Sequence, residues 1–247
     1  LPPPAPPKDR PASPNNKIKD ATEKIDQVRA FFREAKVYLA QGKHAETNLK
    51  FEAVRRLFSK DEKLFIHCDI VKEMLVAVDF AKEFGFDVVI VGGADAWRIA
   101  DILKQHNIAV VLKQPHSLPV MQDDDVDQPY KLAYQLQQAG VLFCLSNEGF
   151  WQQRNLPFEA GTASAYGLNK EEALSAVTLN AAKILGIDKV TGTLETGKDA
   201  NITISTGDIM DMRSSVITQA FIQGREINLD NKHKQLYERY KFKYGLK

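Results

Sequence analysis

Between residues 63 and 167 the chain repeats one pattern, a short apolar run followed by an amphipathic stretch. LFIH precedes an expected helix over residues 71–84, DVVIV one over 94–106, IAVVL one over about 128–139, and VLFCL one over 155–167. Runs this short and this rich in Val and Ile suit strands buried on both faces of a parallel sheet, with the helices as crossovers. Four β-α units fit an open doubly wound sheet and half of an eight-unit barrel equally well.

The segment after the last unit separates the two. ANITIS (200–205), SVITQAFIQG (215–224) and REINL (225–229) read as strands with no helix between them, and Gln223-Gly224 suits a tight turn. A flavodoxin-like domain has no use for these late strands. At the other end, residues 1–16 hold seven of the eleven prolines and read as an extended linker that cannot pack a core. Residues 17–41 place Ile18, Ala21, Ile25, Val28, Phe31, Phe32, Ala35 and Leu39 on one helical face, and residues 47–59 suggest a second amphipathic helix. The chain is thus expected to divide into a Pro-rich linker (1–16), a β/α domain (17–190), a set of strands with no helix between them (191–230) and a basic C-terminal helix (231–247).

Lys and Arg number 33 against 32 Asp and Glu, so a formal charge of +1 gives no bulk attraction to nucleic acid or an acidic membrane. A small molecule is the expected partner, with no nucleic acid and no membrane. No apolar run approaches the ~18–20 residues a span requires, and no apolar h-region follows a basic start, so the chain reads as soluble with no visible export signal. Cys68 and Cys144 are too few for a disulfide framework and read as small buried hydrophobes. In residues 231–247 six Lys or Arg interleave with Tyr237, Tyr240, Phe242 and Tyr244, and these aromatics are expected to dock the helix on its own domain while the lysines stay in water. The acidic run MQDDDVD (121–127) lacks the spaced ligands and glycine of an EF-hand and reads as a solvated loop before a helix. VIVGGAD lacks G-x-G-x-x-G, so a nucleotide turn is not expected.

Residues 167–200, GLNKEEALSAVTLNAAKILGIDKVTGTLETGKDA, contain a helix, a Thr-x-Asn-x-Ala step, a second short helix and a Gly-Lys-Asp-Ala turn. This stretch resembles the signature near the end of amidohydrolase chains, particularly the imidazolonepropionase-like branch. The resemblance implies an α/β fold: part of a (β/α)8 TIM-type barrel, about strands 5 to 8, followed by C-terminal strands of a small β-sandwich. It also implies a divalent metal, zinc first, and hydrolysis of a C–N bond of cyclic amide or amidine type in a small molecule. Asp199, in the Gly-Lys-Asp-Ala turn, is expected to have a structural role as an acceptor of backbone N–H bonds. Asn201 stands where relatives usually have Asp.

In such a barrel, chemistry sits at the C-terminal ends of the strands. His67 then matches the fifth-strand metal-binding histidine, and an imidazole suits a borderline cation such as zinc. The sixth-strand histidine position reads Gly92. At the eighth strand, where the family places an aspartate that touches metal and takes a proton from water, the chain has Asn147, which can offer a carbonyl oxygen but cannot act as a base. Glu148 is a stand-in candidate one residue out of register. His116, after the seventh strand, is a candidate substrate contact or an exposed loop histidine. None of the five histidines forms the first-strand His-x-His pair. The expectation is therefore an incomplete part of a metal-dependent amidohydrolase, needing its N-terminal half or a homodimer mate, with a partly degenerate site. The alternative is an amidohydrolase-fold binding or partner protein that has lost the metal.

Overall fold

The computed structural model describes residues 14–246, with side chains described from Ile18 onward. Residues 1–13 of the expected linker and Lys247 lie outside the described residues. Helix α1 (Pro14–Gln41) begins inside the stretch read as linker. Pro14 at its first position lacks only an N–H that the first turn leaves unbonded in any case.

The chain divides into two units, residues 1–64 with 79–87, and residues 65–78 with 88–247. The expected helix over 47–59 is two short ones, α2 (Leu49–Glu52) and α3 (Arg55–Phe58). Asn48 caps the first by accepting N–H bonds from Lys50 and Phe51, and Val54 at φ −102° and ψ 4° falls outside helical geometry. Strand β1 (Leu64–Cys68) and helix α4 (Val71–Phe84) follow, the second half of α4 belonging to the first unit. That unit is held by aromatic burial. Phe32, 7% exposed, meets Phe58, Phe80, Phe84 and Phe86 at centroid distances of 5.1–6.5 Å. Arg29 adds a bond to Glu83 (3.0 Å) and lies over the Phe80 ring.

The second unit carries the β/α repeat. Strand β2 (Val88–Gly92) leads through a 3₁₀ turn (Ala96–Ile99) to α5 (Ala100–Gln105), shorter than the helix expected over 94–106 because Ile99 leaves helical geometry at φ −126° and ψ 23°. Then come β3 (Ala109–Leu112), α6 (Gln128–Ala139), β4 (Phe143–Leu145) and α7 (Leu156–Ala165). The sheet order is β1-β2-β3-β4, with β2, β3 and β4 paired parallel, Val89 opposite Ala109 and Val111 opposite Cys144. Ile90, Val110 and Phe143 are fully buried, as the unbroken apolar runs require.

The 167–200 stretch builds two helices against this sheet. Helix α8 (Lys170–Val177) starts at a capping box in which Asn169 and Glu172 satisfy one another's backbone N–H groups. Thr178, at φ −129° and ψ −89°, turns the chain into α9 (Leu179–Leu185), which ends on left-handed Gly186. Ile184 of α9 packs with Val89, Ala109 and Cys144 of three successive strands.

The remaining strands, β5 (Ile202–Thr206), β6 (Val216–Ile222) and β7 (Arg225–Glu226), form one three-stranded antiparallel sheet. Gln223 and Gly224 both take positive φ, 49° and 76°, which gives the expected tight turn. Asn201 Oδ1 accepts the Gln223 N–H at 3.0 Å, the backbone-bonding task expected of Asp199; Asp199 instead accepts the Gln223 side-chain amide. The strand expected over 225–229 stops early because Asn228 accepts the N–H of Asp230 and bends the chain.

Helix α10 (Lys232–Lys243) buries no residue. The expected docking by its aromatics is not seen: Tyr237, Tyr240 and Phe242 are all exposed, and Lys241 and Lys243 reach over Tyr237 and Tyr240. Among the described residues no helix is long and apolar enough to cross a membrane.

Candidate functional site

The C-terminal ends of β1 to β4 converge on one side of the parallel sheet, and their loops are tied to one another by backbone bonds. Gly93 N–H donates to the Cys68 carbonyl (2.8 Å) and Asp95 N–H to that of Asp69 (2.9 Å), joining the ends of β1 and β2. Ser146 donates both its N–H and its hydroxyl to the Leu112 carbonyl at 2.8 Å, joining β3 and β4.

At the centre stands Lys113, the residue directly after β3. Its ammonium donates to Asp69 Oδ2 at 2.9 Å and lies 3.6 Å from Glu148 Oε1. The Asp69 carboxylate bonded to it, with Glu148 beyond, holds this ammonium above the usual lysine range. Gly92 completes the arrangement. It has φ +111°, and a Cβ there would collide with Asp69 Oδ1 and stand 2.9 Å from the Cys68 carbonyl oxygen. A side chain at residue 92 would crowd the carboxylate that bonds Lys113.

A cleft of about 200 Å³ opens beside this cluster. Asp69, Lys113, Gln114, Ser117, Asp124 and Gln128 supply its polar lining, and Leu118, Pro119, Val120 and Leu132 an apolar wall. A larger and more open hollow of about 360 Å³ lies on the second sheet, lined by Thr218, Glu226, Ile227, Asn228 and Leu229. Its single ionisable side chain offers little chemistry, so the strand-end cleft is the candidate site.

Asn147, after β4, is fixed by donating its amide N–H groups to the Gln152 carbonyl (2.9 Å) and to the Glu159 carboxylate of α7. Glu159 is 3% exposed, and burial pushes its carboxyl up to about 7. Asn147 Oδ1 and Glu159 Oε2 are both buried without a hydrogen-bond partner among the described residues. His116 is exposed, but its Nε2 lies 3.0 Å from the Thr162 hydroxyl and its ring meets the edge of Tyr130. His67 lies within β1, not after it, and is exposed. Three of the four acids of the 121–127 run have ion-pair partners, Asp124 with Arg98 and both Asp125 and Asp127 with Lys131. Cys68 and Cys144 are free and buried, and burial pushes their thiols up to about 11, which disfavours the thiolate at neutral pH.

Lys113, Asp69 and Glu159 are the site residues that the sequence pattern does not single out. Lys113 carries the same signal as the others, a polar residue directly after an apolar run. Glu159 carries a subtler one, a lone acid inside the apolar helix LPFEAGTASA.

Residues 138–227 match the amidohydrolase family model. The fold is similar to that of a solved amidohydrolase from Thermotoga maritima MSB8, with TM-score 0.72 and 28% identity over 83% of this chain and 55% of that one. These matches support an amidohydrolase superfamily assignment. A prolidase complexed with N-methylphosphonate-L-proline (TM-score 0.57, 16% identity, 71% of this chain and 47% of that one) and a further amidohydrolase (0.56, 18%, 72% and 48%) share the fold. The chain spans about half the length of these solved relatives. A search of curated protein sequences finds no match.

Amidohydrolases generally use divalent metals, and the strand ends can be tested for that group. A zinc held by protein needs about three ligands and an open position. Among the described residues no three His, Cys, Asp or Glu side chains stand close enough together to hold a metal ion. His67 is exposed on β1, Gly92 offers no donor, and its space is filled by an Asp69 carboxylate already bonded to an ammonium. The described residues do not fit the metal.

Proposed function

We propose that the four parallel strands are the last four of an amidohydrolase (β/α)8 barrel, and that the chain binds a small molecule at their C-terminal ends without the family's metal-assisted hydrolysis. One observation carries this reading: Lys113 Nζ, 2.9 Å from Asp69 Oδ2, occupies the strand ends where a metal would need ligands. The cleft beside it supports binding, since a wall of Leu118, Pro119, Val120 and Leu132 can cover an apolar body while Gln114, Ser117 and Gln128 orient polar groups. Asn147 supports the loss of chemistry. It is a neutral amide locked onto two acceptors, so it has no basic atom for a water proton.

The family's own activity, hydrolysis of a cyclic amide or amidine C–N bond, is the competing reading. Lactams, dihydropyrimidines and imidazolones, offered singly to the purified protein, distinguish the two when thermal shift and turnover are measured in parallel. Binding without turnover is the expected result, and it should weaken when Leu132→Ala opens the apolar wall. Sustained turnover abolished by a chelator and restored by zinc would return the protein to the hydrolases.

A further inference from the structure

We infer that the Lys113 ammonium is a built-in counter-cation at the strand ends, holding the Asp69 and Glu148 carboxylates in the place of a metal ion. The inference rests on the assignment of these strand ends as the functional face.

Three independent features converge on it. Asp69 and Glu148 come from the ends of the first and last strands of the parallel sheet, and the side chain between them that carries positive charge is Lys113, at 2.9 Å and 3.6 Å. An ammonium has three donors and no accepting lone pair, so it can satisfy these carboxylates but cannot join them in coordinating a cation. Gly92 leaves room for the pairing, because a Cβ at that position would collide with Asp69 Oδ1. Finally, the two anchors are themselves tied down, Asp69 by its N–H to Glu73 Oε2 (3.2 Å) and its carbonyl to Asp95 N–H, and Glu148 by its N–H to Gln114 Oε1 (3.4 Å). The carboxylates are thus presented to the ammonium by the loops, and the charge they would lend to a metal is already neutralised in part.

Replacing Lys113 separates this role from simple packing. Lys113→Met keeps the length and most of the apolar stem but removes the charge, and Lys113→Arg keeps the charge. The purified chain and both variants are dialysed against zinc or manganese, after which bound metal is measured by elemental analysis and melting temperature is read with and without the metal. Wild type and Lys113→Arg should hold well under one equivalent of metal and melt unchanged. Lys113→Met should melt lower than either, with zinc or without it, and a second change, Asp69→Asn, should recover part of that loss by removing the carboxylate left without its cation. Stoichiometric zinc in the wild type, lost with His67→Ala or Asp69→Asn, would overturn the inference. So would a Lys113→Met variant that melts like wild type, or whose loss Asp69→Asn does not reduce. If Lys113→Met unfolds outright, Lys113→Gln under the same comparison decides. Zinc bound by the wild type without turnover defeats this inference and leaves the binding function standing; turnover by a wild type that binds no zinc does the reverse.

Discussion

Asn147 donates its side-chain amide to the Glu159 carboxylate, and by the same nitrogen to the Gln152 carbonyl at 2.9 Å. Asn147 is thus the residue that a buried acid on the next helix requires. An aspartate here would set two carboxyl groups and a carbonyl together with no nitrogen donor among them. Asn147→Asp is therefore expected to lower stability by about 2–4 kcal/mol, the cost of leaving buried acceptors unpaired and crowding like charges. Urea denaturation at neutral pH measures it, and a variant as stable as the wild type would refute the account.

Glu159 makes stability depend on pH in a direction that can be worked out. Its carboxyl is at about 7 in the folded protein, pushed up by burial from an ordinary 4.5. Between those values the unfolded chain has released the proton while the folded chain still holds it, so folding takes up a proton and stability falls as pH rises. The contribution is complete below pH 4.5 and gone above about 7, a change of up to about 3 kcal/mol. Glu159→Gln cannot titrate and keeps the shape. Denaturation midpoints from pH 5 to 8 should fall for the wild type and, relative to it, stay level for the variant; parallel curves would show that Glu159 titrates normally.

Gly92 tests the geometry from the opposite side. Alanine there must adopt φ +111°, drive its Cβ into Asp69 Oδ1 and bring it to 2.9 Å from a backbone oxygen. The backbone strain alone costs about 1–3 kcal/mol. Displacing Asp69 also breaks its bond to Lys113. Gly92→Ala is expected to destabilise by more than Gly186→Ala, which meets nothing within 4 Å at φ +75°. Equal losses in the two variants would mean that the contact with Asp69 has no energetic weight.

Much of this fold is legible in the sequence because it rests on burial. The runs DVVIV, IAVVL and VLFCL become β2, β3 and β4 because unbroken apolar stretches can only be covered on both faces. Asn169 and Gly186 mark the limits of the α8–α9 pair through capping chemistry that acts within a few residues. The site is less legible because its key pairs are long-range. Nothing near Lys113 in the chain indicates that its partner is Asp69, 44 residues earlier, and nothing near Asn147 announces Glu159 on another element. Imidazole is the commonest metal ligand, so His67 and His116 stand out in the sequence, while the lysine that follows β3 holds the centre. The aromatics of α10 mislead for a related reason. Helical spacing shows that Tyr237, Tyr240 and Tyr244 share a face, but not whether anything covers it, and in the folded chain all three are exposed.

The first unit offers a final prediction, since it is built almost entirely from one aromatic cluster. Phe32 touches the rings of Phe31, Phe58, Phe80, Phe84 and Phe86, four of them arranged edge-on with interplanar angles of 64–81°. Such contacts add about 0.5–1.5 kcal/mol per pair to the area buried. Removing the central ring leaves a cavity that its neighbours, fixed on α1, α3, α4 and the link from α4 to β2, can fill only in part. Phe32→Ala should therefore cost about 3–5 kcal/mol, and Phe32→Leu less, because the leucine side chain refills part of the volume. Val28, on the same helix but 47% exposed, serves as the control: Val28→Ala should change stability by about 0.5 kcal/mol or less. Urea midpoints for the three variants rank them directly, and a Phe32→Ala loss no larger than that of Val28→Ala would remove the aromatic cluster from the account of what holds this unit together.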